Sequence, residues 1–147
     1  MKQIPNNLFF AWVETEIAKG RAVRFRLKGD SMFPLIRNGR DEVVLYPCSE
    51  DELSPMDVVL FRYQGKHLLH RILRREGDQL FLQGDGSYVA KERCKTSDVV
   101  GIVREIIRPS GRVIPVTNWQ WKLPAFLWQK IGITRTFLLR ILHRFKL

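Results

Sequence analysis

The chain has 147 residues, of which 45% are hydrophobic and 27% charged, with a net charge of +10. That is enough for one domain with a core of its own, and too apolar for a disordered chain. The charge is uneven: no acidic residue follows Glu105, and taking the eight Lys and Arg beyond it from +10 leaves a body of only +2, so the basic tail points to an anionic surface, membrane headgroups or nucleic acid.

Asn6 and Asn7 can cap a helix running to about Lys19, with Gly20 ending it. Leu8, Phe9, Trp12, Val13 and Ile17 share one side of that helix at helical spacing, which suits a lid packed on the domain. From Ala22 the period changes. Val23, Phe25 and Leu27 alternate with Arg24, Arg26 and Lys28, the pattern of a half-buried strand. Asn38-Gly39 marks a turn, and strands are expected over 42–46, 57–63, 67–74, 79–83, 99–107 and 112–116, with a polar loop over 47–55. Short strands at regular spacing with Gly turns predict a mainly β fold, a coiled antiparallel sheet or barrel-like domain.

From Pro124 the helical period returns, with Leu127, Ile131, Thr134, Leu138, Ile141 and Phe145 on one stripe and Leu142 beside it. The expected organisation is an N-terminal helix over 1–20, a β domain over 21–117 and a basic amphipathic C-terminal helix over 118–147. The tail can dock on the body, lie on a membrane surface or pair with a partner helix; Trp119, Trp121 and Trp128 near basic residues suit an interface. No stretch reaches the ~20 apolar residues a span requires, so a cytoplasmic protein with peripheral contact at the inner face of the membrane is expected. Cys48 and Cys94 fit no metal spacing and read as free thiols.

Leu27-Lys28-Gly29-Asp30-Ser31-Met32-Phe33-Pro34 sets a serine in a tight corner directly after an alternating strand. Taken alone, that serine reads first as a turn or cap residue. His70 shares its strand face with Leu68 and Ile72, whereas His67 faces the other way with Leu69 and Arg71. A histidine on an apolar face needs a partner for its ring nitrogens, and a serine hydroxyl is a poor nucleophile without a base in hydrogen-bond reach. Ser31 and His70 are therefore a candidate nucleophile and base.

Gly29-Asp30-Ser31-Met32-Phe33-Pro34, Asn38-Gly39-Arg40-Asp41-Glu42-Val43-Val44, Asp57-Val58-Val59-Leu60-Phe61, His70-Arg71-Ile72, Gln83-Gly84-Asp85-Gly86 and Val100-Gly101-Ile102-Val103 follow one another in order. Together they resemble the boxes of the signal peptidase I / LexA-like serine peptidase superfamily over roughly Val23 to Ile107, most closely its soluble bacterial members. The resemblance implies Ser31 as nucleophile. The base is a lysine in bacterial signal peptidases and LexA-type proteins, and a histidine within a His-Arg pair in the archaeal and endoplasmic-reticulum type. His70-Arg71 matches the second version; Lys66 and Lys91 are not at the matching position.

The Ser31 backbone N–H is the implied oxyanion donor. Gly29 stands where many signal peptidases add a hydroxyl, and Met32 and Phe33 are candidates for a substrate wall. The aspartate that orients the histidine in such relatives is absent from Gly86 to Glu92. Asp85 is the first candidate to replace it and Glu92 the second; Asp30 reads as a turn former. The implied activity is that of a serine endopeptidase cutting a peptide or pre-protein, signal-peptidase-like, bound as an extended strand at a sheet edge, with no cofactor or metal. The alternative is a catalytically weak LexA-like module that holds a peptide or protein. Specific nucleic-acid binding is not expected, because the segment before the first strand is far below the ~40 residues a separate DNA-binding domain needs.

Overall fold

Short strands with apolar side chains on both faces build most of the molecule, because successive side chains point to opposite faces of a sheet and each face here carries its own core. The computed structural model describes residues 6–87, 90–132 and 134–145. It contains α1 (Asn6–Ala18), β1 (Val23–Arg26), β2 (Glu42–Tyr46), β3 (Val58–Tyr63), β4 (Lys66–Glu76), β5 (Gln79–Gln83), β6 (Glu92–Lys95), β7 (Val99–Ile107), β8 (Val113–Pro115), α2 (Trp119–Lys130) and α3 (Thr134–Phe145). The strands form one antiparallel sheet in the order β1-β2-β7-β3-β4-β5-β6, with β8 pairing on β7. The fold is mainly β, as the short, regularly spaced strands with Gly turns predict. β6 is an addition: Glu-Arg-Cys-Lys carries too little apolar pattern to be read as a strand, and it forms by pairing with β5.

Two cores lie on opposite faces of the sheet. Val23, Phe25, Val43, Leu45, Leu60, Leu69 and Ile106 pack on one, under Val13 and Ile17 of α1. Val59, Phe61, Ile72, Leu80, Leu82 and Ile102 pack on the other. Helix α1 does cover the domain, but through a different face from the expected one. Leu8 and Trp12 are 60% and 50% exposed, while Phe9, Phe10, Val13 and Ile17 pack inward. Glu14 fixes the helix further, accepting from Arg62 Nε at 2.9 Å and contacting His67 Nε2 at 2.6 Å. The side chain of Asn6, expected as a cap, lies outside those described, as does Lys146 of the basic tail.

The tail departs most from expectation. It is two helices, not one, and the first begins at Trp119 under an Asn118 cap whose Oδ1 accepts from Gln120 N at 2.8 Å. Gly132, at φ +58°, takes up the left-handed conformation that ends a helix, and this resets the phase of the second. The buried positions are Trp121, Ala125 and Trp128 on α2 and Arg135 and Leu139 on α3. Leu127, Ile141 and Phe145 of the expected stripe are exposed instead. Among the described residues no helix is long and apolar enough to cross a membrane.

Candidate active site

β1 delivers the chain to the Gly29–Ile36 corner. Gly29 sits at φ +82° with open space where a Cβ would be, so its place there is conformational. The Asp30 carbonyl accepts from Phe33 N at 3.1 Å and the Met32 carbonyl from Ile36 N at 3.0 Å, closing two successive turns. Met32 is fully buried in the core, so its side chain does not line a substrate wall; Phe33 is also buried, against Trp128 and Leu139. Ser31 is exposed at the tip. Among the described residues neither the Ser31 nor the Met32 backbone N–H donates a hydrogen bond; Met32 is wholly buried, so Ser31 supplies the exposed donor of the two.

His70 lies on β4 opposite Val59, with its ring edge-on to Phe61 at 6.0 Å between centroids. Its Nδ1 is hydrogen-bonded to Glu92 Oε1, and both side chains are about nine-tenths buried, at 12% and 9% exposed. The other edge of the ring faces Gly84. A Cβ built on Gly84 would stand 3.0 Å from His70 Nε2 and 2.4 Å from the Ser31 carbonyl oxygen, so these two atoms are at most 2.4 plus 3.0, or about 5.4 Å, apart. The Ser31 carbonyl is itself fixed, accepting from Gly86 N at 2.9 Å. Residues from β1's exit, β4, the 84–86 loop and β6 thus converge on one spot.

Asp85 does not reach the imidazole. Its carboxylate, wholly buried, accepts from Arg71 Nε at 2.9 Å and Nη2 at 2.7 Å, a bidentate pair on the other side of β4. The cause is strand parity: successive side chains point to opposite faces, so His70 and Arg71 draw on different carboxylates. Arg71 completes its fork on the Met56 carbonyl at 2.8 Å. A buried arginine demands such an anion, so Asp85 goes to Arg71 and Glu92 is left for His70.

The tail helices hold the same loop, which sequence patterning did not reveal. Trp128 Nε1 donates to the Asp85 carbonyl at 2.8 Å and Gln129 Nε2 to Asp85 Oδ1 at 3.0 Å. Arg135, 1% exposed, donates through Nη2 to Gln83 Oε1 and the Gly84 carbonyl, each at 3.0 Å, and also contacts the Ser87 carbonyl. His143 stacks on Phe33 at 4.4 Å and lies 3.8 Å from Asp30. An open hollow of about 610 Å³ lies between Gly86–Ser87 and the Leu139, Arg140 and His143 side of α3.

The two cysteines are free thiols; burial pushes Cys94 up to about 12, so it stays protonated at neutral pH.

A comparison with curated proteins finds no match. A comparison with protein families matches residues 3–107 to the peptidase S24-like family. That span takes in the Ser31 corner, β4, the Gly84 loop and Glu92, and stops before α2 and α3. On that match and on this fold, the chain belongs to the peptidase S24-like family, within the LexA and signal peptidase I-like superfamily.

Proposed function

We propose that the chain is a serine endopeptidase that uses a Ser31–His70–Glu92 site. In this reading Ser31 Oγ attacks a peptide carbonyl while His70 Nε2 takes the hydroxyl proton. The backbone N–H of Ser31 receives the oxyanion. His70 then passes its proton to the departing amine, the C–N bond breaks, and an acyl-Ser31 remains. Water, deprotonated by the same imidazole, hydrolyses that ester and restores the hydroxyl. Glu92 keeps the ring in the tautomer with hydrogen on Nδ1 and stabilises the imidazolium that forms.

The observation that carries the reading is the contact of Glu92 with Nδ1 while Nε2 is turned toward the Ser31 corner. It supplies the third group whose absence from the expected position distinguished this sequence from its histidine-type relatives. The substrate class is a peptide or pre-protein in extended form. β1 is an edge strand that runs into the corner, so a peptide paired along it would pass its backbone across Ser31. Cleavage of a peptide mixture by the full chain, followed by mass spectrometry and compared with Ser31→Ala, tests this: products should vanish in the variant, and equal products from both would remove Ser31 from the mechanism.

A further inference from the structure

The inner face of the tail helices is fully used, yet their outer face is apolar. Among the described residues, seven of the ten exposed large hydrophobic side chains fall between Trp119 and Phe145. On α2, Trp119, Leu123 and Phe126 are 69%, 48% and 49% exposed. At 100° per residue they form one stripe, opposite the buried Trp121, Ala125 and Trp128. On α3, Phe137, Ile141 and Phe145 repeat the arrangement opposite Arg135 and Leu139. Solitary exposed apolar residues need no explanation, but a row of aromatic and aliphatic side chains on each of two successive helices does.

The charges around those rows identify what covers them. Lys122 borders the α2 stripe and Lys130 ends it with its ammonium over the Phe126 ring, while Arg140 and Arg144 run along one edge of the α3 stripe; all four are exposed, and no acidic residue follows Glu105. Apolar rows with aromatic residues, edged by long cationic side chains that can keep their charges at headgroup level, are the physical form of a helix lying in a bilayer interface. Two helices of 12 residues, each about 18 Å long, cannot span and would lie flat. The inner face cannot trade places with the outer one, because Trp128 and Arg135 are tied to the Gly84–Asp85 loop. We propose that the outer face of α2 and α3 docks this protein on an anionic lipid bilayer, with the Ser31 corner held against the same two helices. This does not rest on the peptidase reading, and it can hold for an inactive protein.

The test is co-sedimentation of the full chain with phosphatidylcholine vesicles, with and without phosphatidylglycerol. Binding should be at least about tenfold stronger to the anionic vesicles and should weaken with salt. Phe137→Ser with Phe145→Ser should lower it about tenfold or more, as should Lys130→Glu with Arg140→Glu. These side chains are exposed, and circular dichroism would confirm that each variant folds. Failure of the wild type to sediment with anionic vesicles, or equal binding to neutral ones, would overturn the proposal. So would a dimer in sedimentation velocity that the Phe137/Phe145 variant abolishes while lipid binding is absent, since the face would then join two copies of this chain.

Discussion

Glu92 meets His70 from β6, across β5, while the nearer carboxylate in sequence, Asp85, is on the far side of β4 in the grip of Arg71. The two acids differ in what they hold, and the consequences of removing them should differ in kind. Glu92→Gln should lower kcat by about 10³-fold, since the imidazole loses the group that fixes its tautomer, and should shift stability by no more than about 1 kcal/mol. Asp85→Asn should unfold at clearly lower urea, by about 3–5 kcal/mol, because it strands a buried guanidinium. Urea melts and steady-state rates on both variants check this. A Glu92 variant at full rate, or an Asp85 variant at full stability, would contradict it.

Gly84 is where the serine corner and the histidine strand touch. Adding one methyl there sets a carbon 2.4 Å from a backbone oxygen and 3.0 Å from His70 Nε2, and the backbone oxygen cannot rotate away. Gly84→Ala should cost about 1–3 kcal/mol by overpacking and at least about 10²-fold in rate by displacing one group from the other. Gly29→Ala offers the control: its methyl meets nothing, and only the positive φ is penalised, so it should cost about 1 kcal/mol. Melting curves and rates for the pair distinguish crowding from backbone strain.

Asp41 braces the corner from behind. It is fully buried and accepts from Arg37 N at 2.8 Å, with Arg40 and Arg108 each 2.8 Å from the same oxygen. Burial alone would push its carboxyl up, but the hydrogen bonds from Arg40, the Arg37 amide and Arg108 outweigh it and hold the group below its ordinary 3.8. A depressed carboxyl stabilises the fold at pH values above the ordinary one and loses that contribution as pH falls through 3.8 toward the folded-state value. Asp41→Asn should cost about 2 kcal/mol at pH 7, less than a wholly buried pair would, because Arg40 and Arg108 reach solvent. The variant should also lose less stability than wild type between pH 5 and pH 3; unchanged pH dependence of urea midpoints would contradict the assignment.

Periodicity made most of this fold legible. The alternation in 23–27 predicted β1, which buries one row of side chains, while apolar runs between turn signals predicted β2 and β7, and β7 buries side chains on both faces of the sheet. The same period placed His70 and Arg71 on opposite faces of β4. What periodicity could not supply was long-range pairing. β6 has no pattern of its own and exists through its contacts with β5, so the strand that carries Glu92 was not visible. In the tail, Gly132 interrupts the helical phase, and a stripe counted straight through it selects the outward residues in place of the packed ones. Arg135 was hidden for the same reason, as a basic residue in a basic tail whose partners are carbonyls of a loop far away in sequence.

The most direct test of the account is covalent labelling by a fluorophosphonate, which reacts with a serine hydroxyl only when a base activates it. After incubation at pH 7.5 and proteolysis, mass spectrometry should find a single adduct on the peptide containing Ser31, strongly reduced in His70→Ala and absent in Ser31→Ala. Wild-type protein that stays unlabelled, or labelling at Ser31 that persists at full rate without His70, would contradict the assignment of this corner as a peptidase site.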